Sequence, residues 1–597
     1  MWTKIGLGAG LLVLAIITFG NSLGGPFQYD DLHSVQYNPH IRSLSWIPTY
    51  FVDPSTFSSQ ARGFMYRPLL LTTYAIDYAL SGQSVAAFRL ANVIVHVAAS
   101  AAFGALAFVL LRCAKGAMIA SCLFLLHPAH SEVVNYISAR SDSLVAVLYL
   151  LACTAVLCRR HTSMVVAYTA GLLVKSVAIT LPAMLPMLRG WEPGRRDSDL
   201  RGKARTRWGI ALVGAVSVLY FLILWRSRFL SHSADMFPRA MSLEIWTQLK
   251  ALVYYVFLLA SPIRLSVDHA FQVGVVTDTT VLLCLAVILS CVVLSLRHRL
   301  SLPGFSAIWF GVCMLPYSVL PLNVLVAERR MYLASAGALL LATWAWQQLA
   351  ARRGRGMSWI GIALLVCCLA LTVQRNQVWS SSLALWSDAS MKNPVSARSR
   401  VNLALAYREQ GDLGNARIQL DEGLRLDPGF AEGWVVAGDL ARDAGQQDEA
   451  RLAYERAAQI QPTMEGVFHN LGNLSYGQGQ FTEAITHYEE ALRINARFAE
   501  ARNNLGQALE AVGDDESALA QYEQAVQDSI FWIHTDDSVG GAWYNLACLA
   551  DRLNLESKAA SAFQETVNHL SGDVRYAPYV DHAGQRLAQL RQGGSGS

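Results

Sequence analysis

The chain has 597 residues, of which 53% are apolar and only 15% charged, with a formal net charge of +4. Soluble domains carry about 25% charged residues, so the composition excludes a disordered chain and argues against one ordinary soluble globule. The +4 averages two unlike parts: residues 397–592 hold 16 Lys and Arg against 29 Asp and Glu, a balance of −13, and the remainder holds 32 against 15, a balance of +17.

In chain order, apolar runs of spanning length occupy about 5–22, 87–111, 141–158, 208–226, 279–296, 304–325, 331–350 and 358–374. A helix needs roughly 17–25 such residues to cross a bilayer. Lys4 precedes the first run, as in a signal peptide, but the long apolar core and the later spans favour a retained helix. Nine of the ten cysteines lie in or beside apolar runs, and no CxxC pair suggests zinc or a disulfide framework. Basic clusters at Arg112/Lys115, Arg159/Arg160, Arg189 to Arg207, Arg297/Arg299 and Arg352/Arg353/Arg355 mark the cytoplasmic side. The chain must then cross an even number of times between Arg160 and Arg189. Met164–Val174 and Val177–Leu188 are each too short to span alone, which predicts a hairpin or broken pair with Lys175 at its tip. The same parity leaves Trp246–Leu265 as a re-entrant or interfacial helix that does not cross. About 11 crossings result, with the N-terminus cytoplasmic and everything after residue 376 outside.

The polar part has a fixed period. Leu403, Ala437, Leu471 and Leu505 are spaced by 34, as are Ala416, Ala450, Ala484 and Ala518, and likewise Leu420, Tyr454, Tyr488 and Tyr522. This is tetratricopeptide spacing, with small residues where helices cross and aromatics between repeats. A fifth repeat carries Trp543, Ala547, Ala559 and Phe563, displaced by seven residues inserted around Ser529–Val539, and Trp386, Ala389 and Pro394 fit the second helix of a preceding repeat. The expected fold is therefore all-α: a polytopic membrane bundle over 1–376, a tetratricopeptide-repeat solenoid over 377–592, and an appended linker at 593–597.

Charged groups beside membrane spans are costly, and they are functional candidates for that reason. The chain places Asp30 and Asp31 after the first span, Arg67 in Tyr66-Arg67-Pro68, then His127, His130 and Glu132, then Arg140 and Asp142, Lys175 at the hairpin tip, and Glu328, Arg329 and Arg330. An adjacent carboxylate pair can bind a cation, share a proton or supply a general base. Cations converging near it suit an anionic phosphate. His127, His130 and Glu132 do not share one helical face, and Pro128 interrupts them, so a zinc site is a weak reading against interior helix hydrogen bonds.

Phe27-Gln28-Tyr29-Asp30-Asp31, Asn38-Pro39-His40-Ile41-Arg42, Tyr66-Arg67-Pro68-Leu69, His127-Pro128-Ala129-His130-Ser131-Glu132, Arg140-Ser141-Asp142 and Glu328-Arg329-Arg330-Met331-Tyr332-Leu333 occur in that order ahead of the repeats. The whole chain thereby resembles the transmembrane-and-tetratricopeptide-repeat proteins, multispanning glycosyltransferases of the GT-C class. The resemblance implies an inverting transfer of mannose or a similar sugar from a polyprenyl-phosphate donor to a protein hydroxyl. It implies Asp30 and Asp31 as catalytic residues, with Arg67, Lys175, Arg329 and Arg330 as donor-phosphate ligands. His127, His130, Glu132, Arg140, Asp142 and Glu328 are expected to support the site. Relatives often read Ser-Lys-Glu at the hairpin; here it is Val174-Lys175-Ser176, which removes a carboxylate and leaves Lys175. No resident cofactor is expected beyond the lipid-linked donor, and a divalent metal is left open. The implied partners are an acceptor protein gathered by the repeats and the membrane itself. The implied location is a bacterial inner membrane or an organelle membrane, with the repeats on the periplasmic or luminal side. A non-enzymatic membrane scaffold and a ligase of lipid-linked oligosaccharide remain the alternatives, and the absence of Walker A and HExxH motifs gives nucleotide hydrolysis and metalloprotease chemistry no foothold.

Overall fold

The computed structural model describes residues 2–59, 65–191, 200–226, 241–319, 324–353, 355–529, 536–571 and 574–593. The last four linker residues, part of the basic run 189–207 and part of the Ser529–Val539 insertion lie outside the described residues. All regular elements among the described residues are helices. Contacts divide the chain into two compact units: Met1–Asp31 with Ser43–Phe57 and Phe64–Pro394, and Leu32–Arg42 with Ser58–Gly63 and Val395–Ser597.

Among the described residues of the first unit, seven helices are long and apolar enough to cross a bilayer, from Val85–Leu111 to Trp359–Val378. Ala114–Leu126 and Pro128–Asn135, bent by 55°, make either a broken span or a re-entrant loop. The bend has a local cause, because Pro128 lacks an N–H and holds His127 extended, at ψ 123°. About 11 crossings were expected, and one difference is specific. Trp246–Leu265, expected not to cross, forms helix Met241–Ala260 with an apolar stretch of spanning length, Leu243–Ala260. Its Glu244 is fully buried and takes a hydrogen bond from Gln248 at 2.8 Å, so that charge does not keep the segment at the surface. A crossing here changes the parity, so parity no longer assigns the repeats a side. The hairpin at Lys175 forms as expected, with helices His161–Leu172 and Leu181–Gly190 meeting at a short turn.

Three buried polar side chains on Val85–Leu111 and the neighbouring Arg140–Leu157 fasten one end of this bundle. Arg89 donates to the carbonyls of Ser22 (2.6 Å) and Pro26 (2.8 Å), Asn92 donates to those of Val134 and Tyr136 (both 3.2 Å), and Arg140 donates to Asn92 at 2.7 Å. The loop after the first helix and the turn at 136–139 are thus held to the same scaffold. The first unit also finishes at this end: Trp379 stacks on Tyr136 at 6.2 Å, and Lys392 donates to the Leu265 carbonyl at 2.7 Å. Helix Ser382–Lys392 groups with the first unit by its contacts.

In the second unit, helix pairs repeat from Ala397–Glu409 and Leu413–Leu426 to Asp536–Arg552 and Glu556–Leu570. Each of the first four pairs turns on a glycine with positive φ, Gly411, Gly445, Gly479 and Gly513, and Asn554 (φ 58°) takes that place in the displaced fifth. The close crossing explains the small-residue period: a Cβ on Gly472 would lie 2.5 Å from the Tyr488 ring. Tyr454, Tyr488 and Tyr522 are buried as expected of an inter-repeat core. Gly472→Ala is therefore expected to cost about 1–3 kcal/mol through overpacking. Urea unfolding followed by Trp fluorescence checks this, and an unchanged midpoint would contradict it.

Candidate active site

Tyr29 adopts the left-handed backbone region, φ 49°, which costs a non-glycine residue about 1–2 kcal/mol. Its ring is held edge-on to Tyr136 (5.8 Å) and Trp386 (5.1 Å). This turn sends the next two carboxylates into different surroundings. Asp31 is fully buried: it accepts from the Ser138 hydroxyl (2.6 Å) and amide (2.7 Å), and from the amides of Gln28 and Ile137 (both 3.3 Å). Burial pushes its pKa up to about 6, against the downward pull of those hydrogen bonds. Asp30 is exposed. Its amide donates to the Tyr136 hydroxyl at 3.1 Å, and that hydroxyl hydrogen-bonds the Asp30 carboxylate.

Tyr136 connects Asp30 to the cations. The Arg329 guanidinium lies over the Tyr136 ring, 5.3 Å from its centre, and pairs with Glu132 at 2.6 Å; the Arg329 amide donates to the other Glu132 oxygen at 2.9 Å. Lys175 pairs with Asp142 at 2.6 Å beside the Tyr317 ring. Burial lowers the Lys175 pKa to about 8; Arg67 and Arg329 push it the same way, and Asp142 opposes them. Arg67 reaches the Ser141 hydroxyl at 3.5 Å and lies over Phe57. Arg330 is buried and donates to the Leu325 carbonyl at 3.1 Å. One end of the bundle thus gathers Asp30, Glu132 and Asp142 with Arg67, Lys175, Arg329 and Arg330, from segments spread over 300 residues of chain.

Four candidates make ties elsewhere. His127 bonds the Leu259 carbonyl (3.0 Å), and His130 bonds the Phe124 carbonyl (2.7 Å) and the Ser335 hydroxyl (2.9 Å), the interior helix bonds expected of such histidines. Arg140 pairs with Asp77 at 2.6 Å inside the helix scaffold. Glu328 is fully buried and accepts from the Ser266 amide at 2.6 Å, with His269 at 3.3 Å and Arg375 at 3.8 Å. Among the described residues no three His, Cys, Asp or Glu side chains gather to hold a metal, so no step is derived through one. Sequence reasoning missed Tyr136, Ser138, Tyr317 and Arg89. Arg89 could have been found as a lone cation inside an apolar run, and Tyr136 and Ser138 fall between two of the polar motifs; Tyr317 carries no such signal.

Tetratricopeptide-repeat family models match residues 369–429, 401–465, 472–513 and 498–529. A protein O-mannosyl-transferase of Caenorhabditis elegans is 23% identical over 443 residues, 71% of this chain and 63% of that protein. The human protein O-mannosyl-transferase TMTC3 is 24% identical over 467 residues, 68% of this chain and 50% of that protein. The chain therefore spans about half to three-fifths of the length of these relatives. The crystal structure of YrrB, described as a tetratricopeptide-repeat protein with an unusual peptide-binding site, aligns at 21% identity and TM-score 0.27, covering 34% of this chain and 97% of YrrB. Fold and matches together define a multi-pass membrane protein with a tetratricopeptide-repeat array. Over about 70% of its length it is similar to the TMTC protein O-mannosyl-transferases.

Proposed function

We propose that the protein is a GT-C-type membrane O-glycosyltransferase. It moves mannose or a similar sugar from a polyprenyl-phosphate donor to a protein hydroxyl, and its repeats recruit the acceptor. The observation that carries this reading is the exposed Asp30 carboxylate, joined through Tyr136 to Arg329 at the end of the bundle where Lys175 and Arg67 also gather. Asp30 takes the proton of the acceptor hydroxyl as that oxygen attacks the anomeric carbon. The bond from that carbon to the phosphate oxygen breaks, and the polyprenyl phosphate leaves with its charge held by Arg67, Lys175 and Arg329. One displacement inverts the anomeric centre and needs no covalent sugar–enzyme intermediate. Asp31 is a positioning residue that pins the loop to Ser138.

The outer side suits this chemistry. Val85–Leu111, Ile137–Leu157 and Tyr332–Arg353 all start near the cluster and finish beside Arg112, Arg159 and Arg352, so the basic ends lie at the far face.

A photoreactive polyprenyl-phosphate analogue tests the donor site in the full chain in nanodiscs. Labelled peptides are expected around residues 67, 175 and 329. Lys175 is cationic below about pH 8 and loses its proton above it, so labelling is expected to fall about ten-fold per pH unit beyond that point, and Lys175→Arg should retain it. Labelling confined to other segments, or unchanged between pH 7 and 9.5, would contradict the assignment.

A further inference from the structure

The Ile137–Leu157 helix starts beside Ser138, which binds Asp31, and its 21 residues extend about 30 Å at 1.5 Å each. Its far end therefore reaches the membrane face opposite the candidate active site. A cavity of about 630 Å3 opens there between helices His161–Leu172 and Leu200–Arg226. Arg159, Arg160, His161, Thr162 and Ser163 line it with polar groups, and Val165, Val166 and Leu212 with apolar ones. Trp208 lines it too, 71% exposed at the first residue of a candidate span, where amphipathic rings settle at headgroup level.

The walls are fixed. Gly209 lets the two helices approach until an added Cβ would lie 3.2 Å from the His161 Cβ, and Tyr168 bonds Ser217 across them at 2.6 Å. Arg159 itself sits just past the helix end at φ 57°, with its amide bonded to the Val156 carbonyl and the Arg160 amide to that of Ala155. Glycine is the usual residue there, because the left-handed backbone strains any side chain. The chain keeps an arginine at a position where its backbone favours glycine, on the rim of a cavity. A cationic rim above an apolar wall at interface level matches an amphiphile with a phosphate head, not a soluble anion.

We propose that this cavity binds the phosphate headgroup of an anionic membrane lipid, held by Arg159 and Arg160 with the first acyl segment along Val165, Val166 and Leu212. The site is separate from the donor site by the thickness of the bilayer and does not depend on the catalytic reading.

Native mass spectrometry of the full chain, released from nanodiscs of phosphatidylglycerol or of phosphatidylcholine, tests it. One phosphatidylglycerol is expected to stay bound and phosphatidylcholine to be lost. Arg159→Gln with Arg160→Gln should weaken retention about thirty-fold, the loss for two basic residues beside an anionic head. Arg112→Gln removes a cation at the end of another span, outside the cavity, and should change retention less than two-fold. Arg159→Gly should raise the melting temperature while lowering retention, which separates lost binding from misfolding. Displacement by undecaprenyl phosphate supports a lipid-phosphate site and names its occupant. Equal losses in Arg112→Gln, equal retention of phosphatidylcholine, or displacement by inorganic phosphate at the same concentration would overturn the proposal.

Discussion

Asp30→Asn is expected to reduce sugar transfer by at least about 10²–10⁴-fold, the usual contribution of a general base, and to leave the melting temperature unchanged. The side chain is exposed and isosteric replacement keeps the Asp30 amide on Tyr136, so the fold has little to lose. Asp31→Ala behaves differently. Four donor hydrogen bonds from Ser138, Gln28 and Ile137 lose their acceptor in a fully buried place. Buried unsatisfied donors cost about 1–3 kcal/mol each. Removing the charge returns only about 3 kcal/mol, the equivalent of raising its pKa from 3.8 to about 6. The sign of that return follows from the shift: a raised carboxyl favours the fold below pH 3.8, and the contribution is lost as pH rises through about 6. Asp31→Ala should therefore lower stability at neutral pH. Paired thermal melts and transfer assays check the contrast, and an Asp30→Asn protein that is active, or an Asp31→Ala protein as stable as the parent, would reverse the roles.

Arg329→Met is the second large effect. Glu132, whose side chain is only 5% exposed, would lose its partner, and removing one partner of a buried pair costs about 3–5 kcal/mol. Arg329→Met with Glu132→Gln should recover most of that stability, because no unpaired charge remains. It should not recover donor binding, because the cation that faces the phosphate is still missing. Thermal unfolding of the single and double variants, with donor KM measured for each, separates the two contributions. Recovery of a normal KM in the double variant would make Arg329 a structural residue only.

Much of the architecture was legible because it follows from periodicity and composition. The 34-residue spacing of Gly411, Gly445, Gly479 and Gly513 is imposed by turns that need positive φ, and the inserted seven residues reappear as the displacement of Asn554. The bend at Pro128 and the hairpin at Lys175 also follow from local chemistry. Two rules read Trp246–Leu265 differently: parity counts the charges in loops and leaves it uncrossed, whereas length and composition make Leu243–Ala260 a candidate span.

The candidate site was legible in its residue types and not in their roles. Asp30 and Asp31 are neighbours in sequence, and only the backbone turn at Tyr29 makes one a buried clamp and leaves the other exposed. Arg140 and Glu328 match the motifs as well as Arg329 does, but their partners, Asp77 for one and Ser266 and His269 for the other, come from distant segments with no sequence signal. Tyr136 joins the carboxylate side to the cation side, and only its place between two polar motifs announces it.

The most direct test of the glycosyltransferase reading uses the purified full chain in nanodiscs, given polyprenyl-phosphate mannose and a serine- and threonine-rich acceptor peptide. The expected result is transfer of mannose to a hydroxyl with inversion at the anomeric carbon, lost in Asp30→Asn. No transfer from any polyprenyl-phosphate sugar, or transfer that Asp30→Asn leaves intact, would contradict it.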